Sequence, residues 1–186
     1  MIEFLENYTE RLKNLLDDIN YIDIVTIIGR LEQSVHENAK VYVIGNGGSS
    51  ATASHMANDL GIGLKRRNII SINIESLGDN SAVTSAIAND IGFENIFYMQ
   101  LKGILRPKDV LLAISCSGNS PNIIKAVENA NEIGSTVIGV TGFGGGKLKH
   151  MSDINFHVNA PNGEYGLVED MHMILDHIIY SYFISK

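Results

Sequence analysis

Missing from this chain are a second cysteine, an apolar run of membrane length, an excess of positive charge and any internal repeat. Cys116, alone, allows no internal disulfide, and the simplest reading is a reducing compartment. No run reaches the roughly eighteen apolar residues of a membrane span. The opening MIEFLENYTERLKNLLDDIN mixes charged with apolar residues instead of building a signal peptide's apolar segment, so the expectation is a cytoplasmic protein with no membrane association. A formal charge of -7 argues against general affinity for nucleic acid or anionic lipid, although Lys65, Arg66 and Arg67 form one dense basic cluster. There is no repeat at solenoid period, no linker and no low-complexity tract. A chain of 186 residues that is 45% hydrophobic then fits one domain, 1–186, with a well-buried core.

What is present is rhythm. From about residue 3 to 39, Phe4, Leu5, Tyr8, Leu12, Leu15 and Leu16, then Ile24, Ile27, Ile28, Leu31 and Val35, recur at three- and four-residue spacing and predict two amphipathic helices. Short apolar runs follow: VYVI from Val41, IISINI from Ile69, VLLAI from Val110, TVIGV from Thr136 and INFHV from Ile154, separated by helical stretches. This predicts an α/β fold, a five-stranded parallel sheet covered on both faces, entered by the helical pair and closed by a long helix from about Leu167.

In such sheets ligands sit beyond the carboxyl ends of the strands. Three loops there are unusual: GNGGSS at 45–50, SCSGNS at 115–120 and TGFGGG at 141–146. Glycine permits close backbone approach, helix N-termini offer unpaired N–H groups, and hydroxyls add donors, so together they describe an anion site. Ser115, Ser117 and Ser120 gather three hydroxyls around one strand-to-helix turn, which suits a phosphate monoester, with Pro121 fitted to the first helical position. The plainer alternative makes Ser120 an N-cap and the others turn formers. A P-loop is excluded because no glycine is followed by Lys and then Ser or Thr. A dinucleotide fingerprint fits poorly, since Ser50 stands where its third glycine belongs and Glu75 lies too far downstream, so no nicotinamide cofactor is expected.

His55 and Asp59, at i and i+4, share one helix face. VEDMHMILDH places Glu169, His172, Asp176 and His177 on the last helix, where Glu169 and His177 differ by only about 80° around the axis. Two imidazoles with carboxylates match a divalent transition metal, zinc first, with an open position for substrate. The alternative is a solvated face carrying surface pairs. His36, His150 and His157 have no partner in sequence and read as structural.

GNGGSSATASH, AIANDIGFENIF, SCSGNSPNIIKAV and the TG-x-x-GG loop, in this order, resemble the sugar isomerase (SIS) domain family from about Val41 to Ile179. The resemblance implies a three-layer, flavodoxin-like sandwich and a homotetramer with active sites between subunits. It also implies aldose–ketose isomerisation of sedoheptulose 7-phosphate to D-glycero-D-manno-heptose 7-phosphate for surface polysaccharide. Carried over by motif, Asn46, Gly47, Ser49, Asp79, Asn80, Ser115, Cys116, Ser117, Ser120 and Glu169 would bind substrate. His55, Asp59, Glu169 and His177 would hold one Zn2+ per subunit, with Asp59 and His177 as the catalytic pair. Four positions depart from the family pattern: Asp59 for Glu, Glu169 for Gln, Gly63 for Arg and Asn80 for Asp, with Asp79 adjacent to the last as a stand-in. The competing expectation is a non-catalytic phosphosugar-binding or protein-interaction module, because this fold does not guarantee catalysis.

Overall fold

The computed structural model describes residues 1–186. Helices α1 (Ile2–Asp17) and α2 (Tyr21–His36) lead into β1 (Val41–Gly45), α3 (Gly48–Met56), β2 (Ile74–Ser76), α4 (Ser81–Ile91) and α5 (Ile96–Leu101). Then come β3 (Val110–Ser115), α6 (Pro121–Ile133), β4 (Thr136–Gly142), α7 (Gly146–Met151), β5 (Ile154–Val158) and α8 (Tyr165–Ser185). No helix is long and apolar enough to cross a membrane.

All five strands are parallel, in the order β2-β1-β3-β4-β5. The near-continuous apolar runs follow from burial on both faces. Val41 and Val43 of β1, with Val110, Leu112 and Ile114 of β3, point into a core shared with α2, α3 and α8. Tyr42 and Ile44, with Leu111 and Ala113, point the other way, into a core closed by α5, α6 and α7. The expected three-layer α/β sandwich is therefore present.

Four strands lie where the apolar runs predict them. The second is shorter and later than IISINI: β2 covers only Ile74–Ser76. As an edge strand it has one neighbour, and its register against β1 begins at Val41↔Ile74, so residues before Asn73, whose carbonyl accepts from the Val41 N–H, run past the start of β1. Ile69 and Ile70 still pack against the core as irregular chain.

The helical pair forms as predicted, with different roles. α2 buries Ile24, Ile27, Ile28 and Leu31, and its N-cap Asn20 accepts from the Ile22 N–H at 3.1 Å. α1 buries no residue fully and is tied to α8 by an Arg11–Glu164 ion pair and by the Tyr8 hydroxyl donating to Asp170, both at 2.6 Å.

The strand order reverses between β1 and β3, whose successors β2 and β4 lie to opposite sides. Their carboxyl-end loops frame the crevice where ligands of such sheets bind. Both lead into helix N-termini, α3 and α6, while α3 also packs against α8.

Candidate active site

The crevice holds a cavity of about 160 Å³ lined by Asn46, Ser49, Ile114, Ser115, Cys116, Ser117, Ser120, Tyr165 and Glu169. Two predicted loops thus meet in one pocket. Ser120 does occupy the N-cap of α6, with Pro121 at the first helical position, but its side chain makes no capping bond and remains available to a ligand. The Ser115 hydroxyl accepts from the Gly118 N–H at 3.1 Å, and that of Ser117 from the Asn119 N–H at 3.3 Å. Each keeps its own proton to donate. Gly118 holds φ +63°, and a Cβ there would collide with the Gly145 carbonyl, so glycine lets the loops after β3 and β4 close on each other. Below the pocket, Asn46 and Asn122 exchange amide hydrogen bonds of 2.9 and 2.8 Å and clamp the β1 loop to α6.

Cys116 is buried at the pocket wall. Burial pushes its thiol above the ordinary range, the Glu169 charge adds to this, and a hydrogen bond with Ser49 opposes it. The thiol stays protonated at neutral pH and serves as a small, weakly polar surface.

The second group of chemically active side chains lies between α3 and α8. The rings of His55 and His177 meet edge to face, 5.2 Å between centroids, with their Nε2 atoms 3.2 Å apart. Asp59, in the π-helical turn Ala57–Gly63 that continues α3, places Oδ2 3.3 Å from His55 Nε2. Widened turns of this kind are frequent at functional sites. One donor atom from each of His55, Asp59, His177 and Asp176 lies within 4.8 Å of the others. Two imidazoles and two carboxylates in such a group suit zinc or a similar divalent ion.

Of the four expected ligands, three are brought together and one is not. Glu169 shares roughly the azimuth of the cluster but lies eight residues before His177, a rise of about 12 Å along α8. Its carboxylate lines the serine pocket instead, pressed against Gly48, where a Cβ would strike it. The place near His177 is taken by Asp176, fully buried, with its carboxyl pushed up to about 7 by burial first and then by the Asp59 charge, partly offset by His55.

Asp79 and Asn80 do not line the serine pocket. The Asn80 side chain caps α4, accepting from the Val83 N–H at 3.1 Å. Asp79 accepts from the Ser76 hydroxyl at 2.9 Å and from that of Ser54, tying the β2–α4 turn to α3. Gly63, where an Arg is common, packs against Tyr180, and Arg67 reaches it, donating to the Gly63 carbonyl at 3.3 Å and lying over the Tyr180 ring. Tyr165, absent from the expected set, joins the pocket because it opens α8 and stacks edge-on against Phe143. Nothing in its sequence surroundings marks it.

Residues 3–142 match the SIS domain family, and the chain belongs to it. It is 40% identical to the phosphoheptose isomerase of Rhodospirillum rubrum over 157 residues, covering 84% of this chain and 81% of that one. It is 37% identical to the phosphoheptose isomerase of Helicobacter pylori over 186 residues, covering 95% of this chain and 90% of the relative. The structure of the Neisseria gonorrhoeae phosphoheptose isomerase superposes with a TM-score of 0.86 at 30% identity, covering all of this chain and 97% of that one.

Proposed function

We propose that this SIS-domain chain is a phosphoheptose isomerase, converting sedoheptulose 7-phosphate to D-glycero-D-manno-heptose 7-phosphate for the heptose of a surface polysaccharide. The observation that carries the reading is the meeting of His55 and His177, 122 residues apart in sequence, on helices that also border the hydroxyl-lined pocket. A binding module needs the pocket alone. It has no need of two imidazoles and two carboxylates gathered beside it.

Converting a 2-ketose to an aldose moves a proton from C1 to C2 through an enediol and turns the carbonyl oxygen into a hydroxyl, so the site must shuttle protons and stabilise negative charge on oxygen. The hydroxyls of Ser49, Ser115, Ser117 and Ser120, with the N-termini of α3 and α6, hold the phosphate and so fix the reacting carbons. Asn46 and Gly47 shape the wall, and Glu169 accepts from sugar hydroxyls, since its charge would oppose a phosphate placed against it. His55, Asp59 and His177 would hold a divalent cation, which we take to be zinc. Bound there, it supplies Lewis acidity toward substrate oxygens. His177 is the most exposed of the group, and we assign it the carbon-bound proton. Asp59 then handles a hydroxyl proton directly or through water.

We further propose a cytoplasmic homotetramer with sites between subunits, for which the exposed apolar residues Ile2, Phe4 and Leu5 of α1 and Tyr21, Ile22 and Val25 of α2 offer assembly surface. The functional test is to incubate zinc-loaded protein with ketose phosphates, sedoheptulose 7-phosphate first, and follow the aldose by NMR. Aldose formation that chelator abolishes is expected. Tight binding with no product would favour the non-catalytic module.

A further inference from the structure

We infer that Tyr165 is a substrate-binding residue of the serine pocket, donating its hydroxyl to the phosphate, and that Phe143 is the positioning residue that holds its ring there. This rests on the reading of the pocket as a phosphosugar site and adds to it a residue outside the serine loops. The first observation is backbone strain. Phe143 holds φ +53° at the first central position of the turn that the Gly145 N–H closes on the Gly142 carbonyl at 2.8 Å. A left-handed backbone there calls for glycine, and for a bulky aromatic it is an outlier that persists only where the surroundings require the side chain. Glycine stands on both sides of it, at 142 and 144. The ring is what the strained position supplies. It is buried in the core cluster that also contains Val168 and Met171 of α8, and it meets the Tyr165 ring edge to face, 5.0 Å between centroids and 90° between planes.

The second observation concerns Tyr165 itself. It opens α8 one turn before Glu169, so the two share a helix face, and both line the pocket with Ser117 and Ser120. Tyr165 remains 54% exposed, so fixing its ring adds little to the core. The Tyr8 hydroxyl donates to Asp170, whereas that of Tyr165 is engaged by no group of the chain. An anchored ring with an unengaged hydroxyl beside the serines is a further donor for the same anion. A pair that served only to fasten the start of α8 would stabilise the fold and leave ligand affinity unchanged.

The test is calorimetric titration of the intact protein with glucitol 6-phosphate, a phosphomonoester with no carbonyl to isomerise. Wild type is expected to bind it. Tyr165→Phe, which removes only the hydroxyl, should weaken binding at least fivefold, and Tyr165→Ala at least as much, with melting temperatures close to wild type. Phe143→Leu keeps apolar volume and loses the edge contact. It should lose at least threefold in affinity on its own and nothing further when combined with Tyr165→Ala, a non-additivity that a purely structural Phe143 would not give. Thermal melts check that each variant folds, and Phe143→Met is the second choice if leucine does not pack. A loss under fivefold in folded Tyr165→Phe, or losses at 143 and 165 that simply add, would overturn this inference while leaving the phosphosugar pocket in place. A wild type that does not bind the phosphomonoester would remove both.

Discussion

The serine pocket and the histidine cluster are neighbours built on different principles. The pocket is made of loops at strand ends, where backbone geometry fixes each hydroxyl: Ser115 closes β3, Gly118 locks the turn, and Ser120 opens α6. The cluster is made of side chains on two helix surfaces, and its geometry depends on how α3 and α8 cross. The first kind of site can be read along the chain. The second requires the packing, because residues sharing an azimuth can lie a dozen ångströms apart along the axis. In the proposed mechanism binding and reaction are divided between them in the same way, and substitutions should separate the two.

The largest separation should come from His177→Ala or His55→Ala. Either is expected to lower kcat by about a thousandfold or more with the fold retained, as judged by circular dichroism and melting temperature. Near wild-type turnover in either would dissolve the distinction. A third imidazole, on α8 with His177, provides the contrast. His172 is buried, with Nε2 3.2 Å from the Thr141 carbonyl, and burial pulls its pKa down to about 4. The unfolded chain takes up this proton near pH 6.5 while the folded one resists until about pH 4, so stability is full above the first value and falls as pH drops toward the second. The loss is up to about 3 kcal/mol. Denaturant melts across that window should show a shallower acid slope for His172→Gln.

On the pocket side, replacing Ser117 and Ser120 together by Ala should raise KM for the sugar phosphate about a hundredfold or more and leave kcat far less affected, since hydrogen bonds to a charged group contribute about 1.5–3 kcal/mol each. An equal fall in kcat would mean that the hydroxyls act at the reacting carbons instead. The effect of Gly118→Ala should fall on stability before turnover. At φ +63° and against the Gly145 carbonyl, it is expected to cost about 1–3 kcal/mol of stability, read by urea denaturation, with a weaker grip on phosphate.

How much of this was legible follows the same division. Doubly buried strands leave continuous apolar runs, so β1, β3, β4 and β5 could be placed from sequence, and only the edge strand β2 could not, because its length is set by the start of β1. SCSGNS announced its hydroxyls, though not Tyr165, which reaches the pocket only through the docking of α8 on β4 and its loop. His55, Asp59 and His177 were visible as ligand types at helical spacing. Asp176 stood in the same stretch without distinction, since an Asp beside a His on a polar helix is ordinarily solvated. Its burial comes from α3 lying across it. Asn80 caps α4 and Asp79 braces the turn before it, work that Asx residues do wherever a strand turns into a helix.

One sugar phosphate must span both regions if binding and reaction are divided as described. The direct measurement is a crystal structure of the His177→Ala variant soaked with sedoheptulose 7-phosphate. The phosphate is expected among Ser49, Ser115, Ser117 and Ser120, with C1 and C2 turned toward His55 and Asp59. A sugar bound with its phosphate outside the serine loop, or with those carbons directed away from His55 in every subunit, would contradict the account.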